Sequence, residues 1–397
     1  MKKLTVLFQK TKLRQFLSFF LLGVLFSIIT VDNSTLLQAK TLDFQAVSIH
    51  QPQVISTSES KENNPDTKST SSVNIKTADT ANPSCTTIKW NSVAPLSIGR
   101  AEAMSAVVDS KLYVFGGYIN TSYTPTRRLD VYDPAINTWK QLADLPIGLT
   151  HSGITIDGRD IYLAGGYPAK ATGGQRFATR EVWKYNVDTN TWTAMPPLPE
   201  ARGGGALELL DRELHFFGGS DIYRADKGEH WVLSLDQLTR AWTLTAPLPN
   251  PRNHLADAVL NGKLYAIGGQ VSQKHYGAQA DVHMWEPAIN TWTAVASLPK
   301  ALSHISGATF VLDDRIIVSG GMNIQGGSIR DVTAYDPISN SWTALTPLPT
   351  ARHSGVAGST GNKIFYAGGN GFKTTTYQGV PVLVSPPIAL GSASPKA

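Results

Sequence analysis

The sequence predicts an all-β fold, a six-bladed β-propeller, because two residue ladders each repeat six times with a single period. Double glycines form one ladder, and tryptophans spaced 49, 53, 50, 50 and 50 residues apart form the other. A repeat of about 50 residues that contains several short apolar segments is typical of one propeller blade. The ladder members are Gly116–Gly117, Gly165–Gly166, Gly218–Gly219, Gly268–Gly269, Gly320–Gly321 and Gly368–Gly369, with Trp90, Trp139, Trp192, Trp242, Trp292 and Trp342.

Each unit contains the segments of four strands in the same order. A strand of small and apolar residues such as Ala103 to Val108 is followed by a tight turn, and an apolar strand then ends in the double glycine. The second glycine permits backbone dihedrals that a Cβ atom would forbid. After a variable loop, a third strand ends in a turn such as YDPAIN at Tyr132–Asn137, where proline and asparagine favour the turn. The tryptophan strand closes the unit.

An aromatic residue stands seven positions before most of the ladder tryptophans. Tyr132, Tyr185, Trp285 and Tyr335 occupy this position, whereas Leu235 takes it in the third unit. Large rings at a repeated position are expected to pack between neighbouring blades and to stabilise each interface.

The two chain ends complement each other. The strand around Trp90 has no preceding double glycine, and the last unit (KIFYAGGNGFKTTTYQGVPV) has no following tryptophan strand. We therefore expect the N-terminal strand to complete the last blade, which closes the ring and removes an open sheet edge.

The six double glycines and six ladder tryptophans, with four copies of the pattern (Y/W)-x6-W, make the chain resemble the kelch-repeat family over about residues 86–384. The resemblance implies a kelch propeller of the bacterial secreted or periplasmic type. Its architecture is similar to that of the sialic-acid mutarotases and of the galactose oxidase propeller. Kelch domains often bind partners at the mouth of the central channel, so the resemblance also implies a binding site there.

The sequence divides into four segments. Residues 1–39 combine a basic start with the apolar run Phe16 to Val31, which is typical of a signal peptide or a membrane anchor. Residues 40–85 are polar and predict a disordered linker, residues 86–384 form the propeller, and residues 385–397 form a flexible tail. Either interpretation of the N-terminus places the propeller outside the cytoplasm, as a secreted, periplasmic or membrane-anchored domain.

Net charge and cysteine content exclude two function classes. The formal charge of the chain is +5, and five positive residues stand among the first fifteen. The remainder of the chain therefore has a formal net charge of zero. No basic surface for nucleic acid is therefore expected. The single cysteine, Cys85, cannot form an internal disulfide. Its position in the linker argues against a copper-radical oxidase, which needs a cysteine beside the metal.

Candidate binding residues come from two sets of positions at one face of the disc. The loops after the double glycines vary most, at residues 118–128, 167–180, 220–230 and 270–280, and loops on a rigid scaffold often carry function. The approach to each inner strand supplies equivalent residues ten and twelve positions after each tryptophan, with further polar residues between them. The predicted ligand-binding residues are Arg100, Glu102, His151, Arg202, Arg252, Asn253, His254, His304, Arg352 and His353.

These residues also have structural interpretations. The arginines could pair with backbone groups or acids between blades, and the histidines could be satisfied strand residues. Three histidines suggest a metal site, since imidazole is a common ligand for zinc. However, blades 2 and 5 lie opposite each other, so His151 and His304 would have to reach across the channel. We expect no metal and no cofactor.

Two functions remain open. The first is an exported binding module for a protein or glycan ligand. The second is a carbohydrate-acting enzyme such as a sialic-acid-type mutarotase or epimerase. There Glu102, His151 and His254 would exchange protons and an arginine would hold a carboxylate. The fold alone does not choose between them.

Overall fold

The computed structural model describes residues 87–272 and 275–382, without the side chain of His275. The predictions for the N-terminal segment, the linker, Cys85 and the tail lie outside the described residues. No helix within the described part is long and apolar enough to cross a membrane.

The described residues form six antiparallel four-stranded sheets, which confirms the predicted six-bladed propeller. The strand β1 (Thr87–Val93) comes first in the chain and joins the last sheet. Blade 1 contains β2 (Met104–Val108), β3 (Lys111–Phe115), β4 (Leu129–Asp133) and β5 (Thr138–Gln141). Blade 2 contains β7 (Gly153–Asp157), β8 (Asp160–Ala164), β10 (Val182–Asn186) and β11 (Thr191–Met195), with the separate short pair β6 (Leu149–Thr150) and β9 (Tyr167–Pro168). Blade 3 contains β12 (Ala206–Leu210), β13 (Glu213–Phe217), β14 (His230–Ser234) and β15 (Thr243–Thr245).

The second half of the ring repeats the arrangement. Blade 4 contains β16 (Ala256–Leu260), β17 (Lys263–Ile267), β18 (Val282–Glu286) and β19 (Thr291–Val295). Blade 5 contains β20 (Thr309–Leu312), β21 (Arg315–Ser319), β22 (Val332–Asp336) and β23 (Ser341–Leu345). Blade 6 contains β24 (Gly355–Thr360), β25 (Lys363–Gly368), β26 (Thr376–Val382) and β1. Short 3₁₀ helices span His275–Gly277, Pro287–Ile289 and Ser306–Ala308.

The N-terminal strand completes the last blade, as the sequence predicts. β1 pairs antiparallel with β26, and Trp90 lies opposite Gly379. The backbone N–H of Ile88 also donates to the Thr346 hydroxyl at 2.8 Å, which ties this strand to blade 5. The first and last parts of the described chain therefore share one sheet and close the ring.

The double-glycine ladder connects each blade to the next. All twelve glycines have positive φ, which glycine adopts without steric cost. The N–H of the second glycine donates to a carbonyl at the start of the following blade, for example from Gly166 to Arg202 at 2.8 Å. A Cβ on the first glycine, Gly165, would lie 2.5 Å from that same carbonyl oxygen. In the double-glycine motif, the second glycine therefore makes a hydrogen bond between blades, and the first glycine lies too close to the same carbonyl for a side chain.

The tryptophan ladder supplies the second connection. Each indole Nε1–H donates to a backbone carbonyl of the adjacent blade, for example from Trp342 to Ala296 at 2.8 Å. The repeated aromatic residues pack as the sequence predicts: the ring of Tyr132 in blade 1 lies 5.3 Å from that of Phe365 in blade 6. The rings of Tyr265 and Tyr335 lie 5.8 Å apart between blades 4 and 5.

A buried imidazole pair lies in the interface between blades 3 and 4. His215 Nδ1 is 3.0 Å from His230 Nε2, and both rings pack against Trp285. Burial lowers the pKa of His215 to about 4 and that of His230 to about 3. Both imidazoles are therefore neutral in the folded protein near pH 7.

Candidate functional site at the propeller mouth

Six equivalent residues surround the channel axis at one face of the disc; we call them the mouth positions. They stand twelve residues after each ladder tryptophan and all have φ between 51° and 67°. Non-glycine residues with positive φ are uncommon. Backbone N–H groups link these positions around the axis, from Glu102 to Ser354 O at 2.9 Å and from His254 to Gly204 O at 2.8 Å. The mouth positions are Glu102, His151, Gly204, His254, His304 and Ser354.

A cavity of about 530 Å³ opens above this ring. Five mouth positions contribute side chains to its floor, and the loops after the double glycines form its walls. The floor is polar, whereas the walls are largely aromatic. The wall residues that bear on the argument are Tyr118, Tyr123, Tyr167, Gln175, Phe177 and Arg224.

Glu102 is the acidic group of the floor, and its side chain is 13% exposed. One carboxylate oxygen, Oε1, accepts a hydrogen bond from the Ser354 hydroxyl. The His151 Nε2 atom lies 3.5 Å from Oε2, and His304 Nε2 lies 3.7 Å from Oε1. His151 and His304, on blades 2 and 5, therefore both reach one carboxylate at the mouth.

The neighbour of His151 determines which ring nitrogen carries the proton. The Thr150 hydroxyl donates to the Glu102 backbone carbonyl, and this carbonyl oxygen can only accept. The hydroxyl has no second proton, so it accepts from His151 Nδ1–H at 3.0 Å. The neutral ring therefore presents an unprotonated Nε2 next to Glu102.

Asn253 fixes His254 in the same way. The Asn253 amide Nδ2 donates to Asp226, whose carboxylate also accepts the Ser272 N–H at 2.6 Å. The amide oxygen of Asn253 must therefore face His254 Nδ1, which must carry the proton. Asn253 is itself fully buried and does not line the cavity, so its place in the predicted set is that of a positioning residue.

Burial controls the ionisation of the floor. It lowers the pKa of His151 to about 4, and the nearby Glu102 charge offsets only part of this effect. Burial also raises the pKa of Tyr118 well above its usual range, with a smaller contribution from the Glu102 charge. Among the described residues, no group of three or more His, Cys, Asp or Glu side chains is arranged to hold a metal ion.

The predicted arginines lie in the blades and not in the cavity. Arg100 is 1% exposed and pairs with Asp130, and Arg252 donates to the carbonyls of Gly268 and Ala266 at 2.6 and 3.0 Å. Arg202 pairs with Glu229 at 3.0 Å. Arg352, also buried, donates to the carbonyl of its neighbour Ala351, and it is absent from the cavity lining as well. This arrangement favours the structural interpretation of all four arginines.

The sequence analysis located the wall loops but did not single out the residues that matter in them. Tyr118 and Tyr167 directly follow the double glycine in blades 1 and 2, and Met322 and Asn370 do so in blades 5 and 6. All four line the cavity. The residue after the double glycine was therefore a usable signal. Phe177, whose ring is 5.4 Å from that of Tyr167, follows from no repeat position.

His353 is the remaining predicted residue, and it also lines the cavity. Its Nδ1 lies 2.6 Å from the Ser354 hydroxyl, which already donates its proton to Glu102. His353 Nδ1 must therefore carry the proton. The cavity thus unites five predicted residues, namely Glu102, His151, His254, His304 and His353.

Six four-stranded blades, joined by the double-glycine and tryptophan ladders around a central mouth, define a kelch-type propeller. The family model described as the KLHDC2/KLHL20/DRC7 Kelch-repeats domain matches residues 150–369, and the Kelch motif matches residues 99–146. The chain belongs to the Kelch-repeat family.

Known relatives match only part of the chain. It is 31% identical over 139 residues to Kelch-like protein terF of Aspergillus terreus, which covers 34% of this chain and 30% of that protein. It is 30% identical over 122 residues to Kelch-like protein 35 of Mus musculus, covering 30% of this chain and 19% of that protein. It is 31% identical over 109 residues to Kelch-like protein 23 of Homo sapiens, and this match covers 27% of this chain and 18% of that protein. The matched parts thus span less than a third of each of these relatives.

Proposed function

We propose that this protein is a binding module that docks a segment of a partner protein across the mouth face, with one side chain of the partner in the cavity. The observation that carries the proposal is the cavity itself, which has aromatic walls and a polar floor of oriented groups. Ligand sites are commonly concave and largely apolar, with a few fixed polar groups that give specificity. The kelch resemblance supports the same face.

The loops on the mouth face carry exposed tyrosines, which suit a macromolecular partner. Tyr123, Tyr223 and Tyr276 are 57%, 83% and 70% exposed, and they are the three exposed tyrosines of the described residues. All three stand on loops that follow a double glycine. Tyrosine is enriched among the residues that dominate binding energy at protein interfaces.

Site-specific photo-crosslinking tests this proposal. A photo-reactive amino acid replaces Tyr223 on the mouth face or, as the matched control, Ile338, which is 95% exposed in the short turn before β23 at the opposite face. We expect discrete protein adducts from position 223 in extracts of the source cells and none from position 338. Adducts of equal yield from both positions, or from 338 alone, would refute a mouth-face interface. Carbohydrate adducts at position 223 would show that the ligand of the mouth face is a glycan and not a protein.

We also propose that the propeller functions outside the cytoplasm. The support is the basic and apolar N-terminal sequence alone. A fusion of residues 1–85 to alkaline phosphatase, which is active only after export in bacteria, tests it. We expect phosphatase activity that is lost when Leu21 and Leu22 are replaced by arginine, and an inactive fusion would overturn the proposal.

A further inference from the structure

We propose that the cavity receives a cationic amine, the ammonium or guanidinium group of a lysine or arginine in the partner segment, with Glu102 as its counter-ion. The inference rests on the proposed function and names the chemical class of the side chain that enters the cavity.

The first argument is a pair of facing acceptors. Glu102 Oε2 and His151 Nε2 are 3.5 Å apart. The Thr150 contact places the His151 proton on Nδ1, so Nε2 presents a lone pair, and the low pKa keeps the ring neutral near pH 7. A carboxylate oxygen is also only an acceptor. A group from the cavity that donates to both atoms would satisfy them together.

The contacts of the remaining floor groups are also fixed. His254 donates its Nδ1–H to Asn253, and His353 donates its Nδ1–H to the Ser354 hydroxyl. The Ser354 hydroxyl already donates to Glu102. An ammonium group carries three N–H donors and a guanidinium five, and neither has an acceptor. Such groups complement the Glu102 carboxylate and the facing Nε2 of His151.

The charge of Glu102 favours a cationic ligand over a neutral hydrogen-bond donor such as a sugar hydroxyl. Among the described residues the ion-pair partners of Glu102 are the imidazoles of His151 and His304, which are charged only when protonated, and no lysine or arginine pairs with this largely buried side chain. A largely buried charge without an opposite charge is costly. A bound cation supplies the opposite charge and forms charge-assisted hydrogen bonds, which are stronger than neutral ones.

The walls suit a cation as well. Aromatic faces attract ammonium and guanidinium groups, and rings of tyrosine, tryptophan and phenylalanine line known sites for such ligands. Tyr118, Tyr167 and Phe177 surround the acceptor floor. The guanidinium carbon of Arg224 lies 4.4 Å from the centre of the Phe177 ring, so this ring already contacts a cation and the faces of Tyr118 and Tyr167 are the ones assigned to the ligand.

The test uses a random heptapeptide library displayed on phage and selected against the immobilised full chain. The variants are Glu102→Gln, which keeps an acceptor for Ser354 but removes the charge, and the matched control Glu213→Gln, at the start of β13. Tyr223→Ala identifies the peptides that bind at the mouth. We expect those peptides to share a lysine or arginine. Their affinity should fall roughly 10- to 100-fold in Glu102→Gln and remain unchanged in Glu213→Gln.

A change on the peptide keeps the test decisive if Glu102→Gln does not fold. Replacing the shared lysine by norleucine, which removes the ammonium group, should weaken binding to the unmodified chain by a similar factor. Mouth-binding peptides that lack a basic residue, or that bind Glu102→Gln equally well, overturn the cation inference and leave the proposed function intact. A selection in which no peptide responds to Tyr223→Ala counts against both.

Discussion

The buried pair of Arg100 and Asp130 gives the sharpest test of the structural role assigned to the predicted arginines. Asp130 lies in β4, is fully buried, and accepts hydrogen bonds from Arg100 and from Arg128, the latter at 2.8 and 2.9 Å. Replacing Asp130 by alanine leaves the Arg100 guanidinium, which is 1% exposed, with backbone carbonyls as its hydrogen-bond partners among the described residues. Burial already lowers the pKa of Arg100 to about 10 although Asp130 opposes this effect. The guanidinium therefore stays charged at pH 7.

Removing one partner of a buried ion pair typically costs about 3–5 kcal/mol, because the other charge remains buried without compensation. Asp133, three residues further along the same strand, supplies the control. It pairs with Lys111 at 2.8 Å, but the two side chains are 23% and 42% exposed, and ion pairs in contact with water contribute little to stability.

Urea unfolding followed by tryptophan fluorescence measures both variants. We expect Asp130→Ala to lower the free energy of unfolding by about 3 kcal/mol or more, and Asp133→Ala to lower it by a clearly smaller amount. Equal and small losses in the two variants would refute the structural role assigned to Arg100. They would return this arginine to the set of candidate ligand-binding residues.

Three further predictions address closure, pH and the floor. Ile88→Ala in β1 should lower the free energy of unfolding by about 2–4 kcal/mol, while alanine at the exposed neighbour Lys89 should change it by less than about 0.5 kcal/mol, as measured in urea. The buried imidazole pair of His215 and His230 has folded pKa values below the unfolded value of about 6.5, so the free energy of unfolding is not reduced by their protonation above pH 6.5. The free energy of unfolding should fall as pH drops towards 4, because the unfolded chain then binds protons that the folded pair does not. His230→Gln should make this pH dependence shallower, and an unchanged slope would exclude the pair as the source of the pH dependence. Asp226→Ala releases the amide that orients His254, so nitrogen NMR should detect both neutral tautomers of His254 instead of one.

The blade architecture could be predicted because the information that specifies it is periodic along the chain. Each double glycine and each tryptophan makes a contact with the adjacent blade, so a repeat in sequence becomes a repeat in space. Closure by the strand around Trp90 followed from counting which unit lacks which strand. The inter-blade hydrogen bond of Gly166 was not foreseen, since a spacing pattern does not reveal a bonding partner.

The site could be predicted only in part, because counting residues identifies equivalent positions but not side-chain directions. Arg252 and His254 are two residues apart, and in a regular strand they would share a face. The positive φ of His254 breaks this regularity. The arginine consequently lies buried in its own blade, whereas the histidine lines the cavity. A positive φ at a histidine or a glutamate cannot be recognised from the sequence. Arg252 and His254 were therefore both included in the predicted set with equal weight.

The mouth positions also indicate why these side chains are present. Left-handed backbone costs an L-residue roughly 1–2 kcal/mol, and glycine avoids this cost. Gly204 adopts the same conformation as its five counterparts and takes part in the same hydrogen-bonded ring. The ring therefore requires only a backbone. Residues with side chains at the other five positions, including Glu102 and His254, add strain that the propeller does not need. Strained residues of this kind concentrate at functional sites. This cost is understandable if the side chains bind a ligand, and it is unexplained if they only support the fold.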